Sequence, residues 1–402
     1  MLLNIIKKYK ARISIILLFI VYIVILSILN KNKSTFVFFK KDELEDIHKN
    51  QNEERDIILT KGRKYLNKCL FQENNKLYER NDNPIITAII PSYNCEKTIK
   101  ASIRSFQYQN ISNNEMIIVD DFSNDNTKIM IHNIHVMDKR IKLIENKKNM
   151  GTLYSRCIGA LFAKGNYILC LDNDDLFFDE DIFDYVYSQA IKDNLDLVSF
   201  RALVCYDYLD DISKMKDFHF FGFPNNLYLK QPELGIWTLS LNGEFKLHNH
   251  MIWSKSIKTK IYKKAVNLLG IQRYSKYLCW AEDTSINFII FNIAESFKYI
   301  YKFGYIHIRK RISATFTQNI NNKLYGELYF LDVMFDFSKN CSDKNFVVNE
   351  ALEIKKRFKI NHYSNHTNDN YLKNIINKIV KCPFITNINK QKIKLFFNSF
   401  LI

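Results

Sequence analysis

Apolar and polar residues alternate in blocks along this chain, and the blocks mark out a series of elements. Ile85 to Ile90 (IITAII) is a short apolar run bounded by Pro84 and Pro91, the pattern of a buried strand. Ser92-Tyr93-Asn94 makes a turn, and from Glu96 to Tyr108 the residues Ile99, Ile103 and Phe106 fall at helical spacing. Met116 to Val119 (MIIV) reads as a second buried strand that ends in Asp120 and Asp121, with Asp125 and Thr127 in the loop and helix start beyond. Arg140 to Ile144 is a third strand. Gly151 to Ala163 is a helix with Leu153, Ile158, Leu161 and Phe162 as its apolar set. Tyr167 to Leu171 (YILCL) is a fourth strand, and it stops at Asp172-Asn173-Asp174-Asp175. Strands and helices in this order predict an α/β fold with a mainly parallel sheet flanked by helices. Ligands of such sheets lie beyond the carboxyl ends of the strands, and two acidic clusters fall at such ends.

The flanks read differently. Ile13 to Leu29 (ISIILLFIVYIVILSIL) carries no charge; as a helix it is about 25 Å long at ~1.5 Å per residue, at the short end for a bilayer span. Lys7, Lys8, Lys10 and Arg12 precede it and favour a cytoplasmic N-terminus, although Lys31, Lys33, Lys40 and Lys41 follow it. No small-residue cleavage motif follows Leu29, so the segment is expected to be an uncleaved anchor. The expected organisation is a basic tail at 1–12, a transmembrane helix at 13–29, a polar stem at 30–83, the main domain at 84–317 and a small helical C-terminal appendage at 318–402. In that last region Leu352 to Phe358 and Leu372 to Val380 have amphipathic spacing.

Composition narrows the partners. Of the 402 residues 47% are hydrophobic, ample for a sizeable core. The net charge of +16 comes from lysines scattered end to end, with no Arg-rich face or RNA-binding signature, so nucleic acid is not an expected partner. The eight cysteines show neither a C-x-x-C pair nor zinc spacing.

Asp172-Asn173-Asp174 is a D-x-D element at a strand end. Hard cations such as Mg²⁺ and Mn²⁺ want the oxygen ligands that such carboxylates supply. An acidic solvated turn is the plainer alternative. Taken together, PSYNCEKTIKASIRSF, IIVDDFSNDNT, NMGTLYSRCIGA, YILCLDNDD and WAED resemble, in order and spacing, the successive motifs of the family-two glycosyltransferases with the GT-A fold. The likeness runs from about Ile85 to Thr317.

That resemblance implies roles. Asp174 would ligate the metal, with Asp172 contacting the ribose or a metal-bound water, and His307 stands where some relatives place a further ligand. Asp121 would accept a hydrogen bond from the nucleotide base, with Pro91 and Tyr93 lining the same pocket, while Arg156 would face the donor. Asp120 and Asp125 are better read as turn and cap residues. Glu282-Asp283 matches the family's E-D motif, which makes Asp283 the candidate general base; acidic residues also suit a helix N-terminus on electrostatic grounds alone. Arg309, Arg311 and Ser313 resemble a closing R-x-x-x-S segment. Trp253 and Lys255 resemble an acceptor-side W-x-K.

The function implied is inverting transfer of one sugar from a nucleotide donor, expected to be a UDP-sugar, to a hydroxyl of a glycan, protein or lipid, with Mn²⁺ or Mg²⁺ as cofactor. A processive synthase is disfavoured, because Gln272-Arg273-Tyr274 does not make a Q-x-x-R-W element. A non-catalytic binder of glycans or nucleotide sugars on the same fold is the rival of a different class. Anchor plus stem suggests a single-pass type II protein of the Golgi or endoplasmic reticulum, with a bacterial inner membrane as the alternative. Leu195 to Tyr274 departs most from the family pattern and should carry acceptor choice.

Overall fold

The computed structural model describes residues 57–206 apart from 75 and 81, then 216–218, 228–230, 251–270 and 282–309, with isolated positions between 326 and 337 and residue 391. The expected transmembrane helix at 13–29 and the two amphipathic segments of the C-terminal region lie outside the described residues. Among the described residues no helix is long and apolar enough to cross a membrane.

The sheet begins as the apolar runs predict. Strands β1 (Ile86–Ser92), β2 (Asn114–Asp120), β3 (Ile141–Glu145) and β4 (Tyr167–Cys170) pair in the order β3-β2-β1-β4, all parallel. Every position of β1 and β2 is buried, because helices cover both faces. Successive side chains of a strand point to opposite faces, and the two cores divide accordingly. Ile89, Ile117 and Val119 face helices α4 (Thr152–Phe162), α6 (Thr259–Leu269) and α7 (Glu282–Ile293). Ile86, Ala88, Ile90, Met116 and Ile118 face α2 (Ile99–Gln107), α3 (Thr127–Met137) and α5 (Ile182–Lys192).

Beyond β4 the expectation of a mainly parallel sheet needs correction. The order continues β4-β9-β6-β10-β5, with β5 (Leu176–Phe177), β6 (Leu197–Tyr206), β9 (Lys255–Lys258) and β10 (Ser296–Arg309). Short strands β7 (Lys216–Phe218) and β8 (Tyr228–Lys230) pair with β6 and β10. Among the described residues four of the nine pairings are parallel and five antiparallel, so the sheet is mixed. The reason is β9: it enters between β4 and β6 antiparallel to both. Strands of this kind are too short to announce themselves by periodicity.

A second finding falls in the stretch expected to be a stem. Residues 57–71 form a helix, α1, which buries Leu59, Tyr65, Leu66 and Cys69 against Leu176, Phe178, Leu203, Phe303, Ile306 and Ile308. Positions 59 and 66, and 65 and 69, lie on one helical face, and burial of each leucine contributes about 1.5–3 kcal/mol. Lys68 and Lys61 also reach Glu180 and Asp179 across the surface. This part of the expected stem is core-forming.

Candidate active site

The acidic turn after β4 is fixed from three sides. Leu171 donates its N–H to Ile89 O at 2.9 Å, Asp175 N–H to Asp172 O at 3.1 Å, and the Asn173 amide to Pro91 O at 3.1 Å. Pro91 is buried at the end of β1, so the turn is tied to the same carboxyl rim that carries Tyr93. Asp175, which none of the motifs singles out, anchors the turn. It is fully buried; its Oδ2 accepts from Tyr305 Oη at 2.8 Å and lies 2.9 Å from His307 Nδ1, and its Oδ1 accepts from Ile308 N at 2.7 Å. Tyr305 Oη also accepts from Asp172 N at 3.2 Å, and the Trp253 ring stacks on both Tyr305 and His307. Burial pushes the Asp175 carboxyl up to about 6 against the pull of His307. Burial alone would lower the His307 pKa, but the Asp175 carboxylate outweighs it and the net shift is upward. One signal in the chain points to this role: an acidic residue directly before the apolar Leu176-Phe177-Phe178 must enter the core, and a buried carboxylate needs partners.

Helix α4 brings the second component. Gly151 precedes it at φ 90°, a backbone region that glycine enters without penalty. Gly159 lets the helix lie close on β1: a Cβ there would stand 2.5 Å from Ile89 Cγ2. Asp121 secures the loop before the helix, its carboxylate accepting from Asn146 Nδ2 at 2.8 Å and from the N–H groups of Met150 and Gly151 at 2.7 Å each. Asp121 therefore supports the loop leading into α4 and, through it, Arg156. Asp120 and Asp125 likewise bond within the adjoining turns, to Ser123 and to Thr127 and Glu96.

Arg156 is only 3% exposed, and its guanidinium joins two carboxylates from distant parts of the chain. One terminal nitrogen donates to Asp172 at 2.5 Å and the other to Asp283, in the first turn of α7. The second oxygen of Asp283 accepts from Ile252 N at 3.3 Å. Among the described residues, the buried Arg156 Nε has no hydrogen-bond partner. The side chains of Asp172 and Asp283 are 27% and 20% exposed, so both acids open toward the rim. Burial would lower the Arg156 pKa, but Asp283 and Asp172 hold it well above the usual value. Lys255 is a second basic group acting on Asp283, although burial lowers its pKa to about 7; the three acids outnumber the one cation that contacts them, Arg156. Burial and the neighbouring Asp283 charge push Glu282 up to about 7. Burial also raises Asp283, in spite of Arg156.

The donor set suits a hard cation in part. Asp172 and Asp174 present half-buried oxygens on one turn. His307 uses Nδ1 toward Asp175, which leaves Nε2 as its other ring nitrogen; a carboxylate behind an imidazole is the usual way to orient a metal-binding histidine. Among the described residues no group of three or more His, Cys, Asp or Glu side chains stands ready-made as a cage. A cation bound through one or two carboxylates plus substrate phosphates needs none. The side chain of Arg309 and all of Arg311 and Ser313 lie outside the described residues.

The family model described as glycosyl transferase family 2 matches residues 87–251, which contain β1 to β4 and the acidic turn. The chain carries a family 2 glycosyltransferase domain. Among curated relatives, it is 34% identical over 117 residues to the UDP-Glc:α-D-GlcNAc-diphosphoundecaprenol β-1,3-glucosyltransferase WfgD of Escherichia coli, covering 29% of this chain and 45% of that protein. It is 41% identical over 91 residues to the enzyme of the same description, WfaP, also of E. coli, covering 23% and 36%. The chain thus spans less than half the length of these relatives. The crystal structure of S. aureus TarS 1-349 in complex with UDP-GlcNAc superposes with a TM-score of 0.56 at 15% identity, covering 75% of this chain and 83% of that one. At that identity the likeness concerns the fold alone. The glycosyltransferase domain accordingly shares its architecture with a solved structure, and the Arg156 constellation sits where α4, β4 and α7 of the domain meet.

Proposed function

We propose that this protein is an inverting glycosyltransferase that moves one sugar from a UDP-sugar to an acceptor hydroxyl, with Asp283 as general base. The observation that carries the reading is the meeting of the D-x-D element and the E-D motif on one buried arginine. In the proposed reaction the acceptor oxygen attacks the anomeric carbon as its proton passes to Asp283 Oδ. The bond between that carbon and the diphosphate oxygen breaks, and the diphosphate leaves with the bonding electron pair. A single attack from the face opposite the leaving group inverts the anomeric configuration. Arg156 keeps Asp283 ionised and aimed, since an opposite charge favours the anionic form. Asp172, on the other side of the shared arginine, adds negative potential that raises the basicity of Asp283.

Asp174 and Asp172, with His307, would hold Mn²⁺ or Mg²⁺, which when bound neutralises charge on the leaving diphosphate. Pro91, Tyr93 and Asp121 would border the nucleotide. UDP as the donor nucleotide is supported by the descriptions of the E. coli relatives and by the UDP-GlcNAc bound to TarS. The bacterial source of those relatives favours membrane-associated glycan synthesis, with the domain on the cytoplasmic side of an inner membrane, over a Golgi or endoplasmic-reticulum setting; a single span at 13–29 would then run opposite to the orientation that the basic residues before it favour. The acceptor belongs to the glycans, proteins or lipids that carry a free hydroxyl.

The test is a calorimetric titration of Mn²⁺ and a panel of UDP-sugars into the full-length chain in detergent. Metal-dependent binding of one donor, abolished in Asp174→Ala, is expected. A folded chain that binds no donor with or without metal would overturn the reading; tight donor binding without hydrolysis or transfer would favour the non-catalytic binder.

A further inference from the structure

Lys255, the first residue of β9, is among the largest side chains that this fold buries completely. A lysine is almost never fully buried unless paired, and a methionine would fill much the same space without the cost of desolvating an amine. Burial pushes the Lys255 pKa down to about 7, against the pull of Asp283. The resemblance implies the acceptor side for this residue, but its tip turns inward, onto the backbone. Lys255 Nζ donates to Met251 O, four residues back. Ile252 N donates in turn to Asp283 Oδ2 at 3.3 Å. The Met251 carbonyl and the Ile252 N–H are the two ends of one planar peptide unit. Lys255 and Asp283 therefore hold opposite ends of a single rigid group, and fixing its oxygen fixes the direction of its N–H.

The backbone between these residues is held in an uncommon form. Ser254 has φ 52°, in the left-handed region that residues other than glycine rarely enter. Such a conformation persists where the surroundings over-determine it, and here they do. Ser254 O accepts from Phe200 N at 3.1 Å and from Ser199 Oγ at 3.2 Å, both on β6. On the other side Trp253 makes a backbone bridge to Cys170, the last residue of β4. The turn is thus clamped between the two strands that flank β9, and the Lys255 side chain closes it.

We propose that Lys255 is the positioning residue of the base: it holds the Met251–Ile252 peptide so that the Ile252 N–H aims the Asp283 carboxylate. The proposal rests on the reading of Asp283 as general base and deepens it. Arg156 fixes Asp283 Oδ1 and the peptide fixes Oδ2, and two such bonds set the plane of the carboxylate. Each carboxylate oxygen can accept more than one hydrogen bond, so this orientation leaves capacity for the acceptor proton. An amine donates to a carbonyl with or without its extra proton, so the grip does not depend on the charge of Lys255.

The test uses the full-length chain in detergent with Mn²⁺ and follows UDP release from UDP-glucose and UDP-GlcNAc, with UDP binding by calorimetry and a thermal melt of each variant. Lys255→Met should lower kcat about ten- to hundredfold, leave UDP affinity unchanged and keep or raise Tm. Lys255→Arg, which retains a donor, should recover part of the rate. In an Asp283→Asn background Lys255→Met should have no further effect, because the group it aims is gone. Hydrogen exchange at the Ile252 amide, which needs no turnover, should quicken in Lys255→Met and in Asp283→Asn alike. Unchanged kcat in a folded Lys255→Met overturns the proposal, and so does a matching loss of UDP affinity or a full further loss in the Asp283→Asn background. Unchanged exchange at Ile252 also overturns it. If Asp283→Asn by itself releases UDP at the wild-type rate, the base reading falls instead, which separates the two failures.

Discussion

Two buried arginines of this domain, Arg140 and Arg156, are used in opposite ways. Arg140 bonds Asp138 through Nε and one terminal nitrogen and Asn114 through the other, and stacks over Tyr78 and Phe106. Asp138 in turn accepts from Gln107 and from the backbone of Arg140. Every charge there is matched one to one, and the pair is closed to solvent. Arg156 has two carboxylate partners, a third acid nearby and an unpartnered Nε, and its acids open toward the rim. A complete network fixes structure; an incomplete one, with surplus negative charge, is poised to exchange partners. Perturbed groups of the second kind cluster at functional sites.

This contrast fails first if Asp283 has no special role. Asp283→Asn should lower kcat by about 10²–10⁴ while UDP-sugar affinity by calorimetry stays near wild type; unchanged turnover would remove Asp283 as the base. Next is the structural side. Asp138→Ala leaves the Arg140 charge buried and should cost about 3–5 kcal/mol in urea unfolding. The double variant Asp138→Ala/Arg140→Met should recover part of that, and no recovery would mean the pair is not a closed unit.

Gly159→Ala probes the packing that aims Arg156. The added methyl meets Ile89, and overpacking of this kind costs about 1–3 kcal/mol. Transfer should fall further than stability alone explains, and a full-rate Gly159→Ala enzyme would show that the helix can shift harmlessly.

The smallest effect is a pH shift. Burial already raises the Asp283 pKa and Arg156 opposes that rise. An active base must be ionised, so activity is lost as pH falls through this raised value. In Arg156→Met the opposing charge is gone and the pKa rises again, so the acid limb of kcat/KM should move to higher pH, by about one unit for each 1.4 kcal/mol of lost interaction. A limb that stays in place would assign the acid titration to another group.

Much of this architecture is legible in the chain itself. Apolar runs ending at Asp121 and Asp172 locate strands and their functional ends together, because a strand buried on both faces must be apolar to its last covered residue. The acids at 282 and 283 are visible as a helix start. Arg156 is marked only by the family resemblance, since an arginine on an amphipathic helix ordinarily faces water, and its pairing with Asp172 and Asp283 is visible only in the fold. Asp175 is hidden among similar residues, and its burial depends on Tyr305 of β10, 130 residues further along the chain. The helix at 57–71 is masked by the charged run at 41–56 that precedes it, although eight of its own fifteen residues are apolar.

Local pattern and spacing are therefore enough for the parallel half of the sheet, the acidic strand ends and the family. They do not say which carboxylates share an arginine, that β9 enters antiparallel or that the helix at 57–71 joins the core. Those features depend on contacts between segments far apart in the chain, and such contacts are set by sheet closure and packing rather than by any local preference.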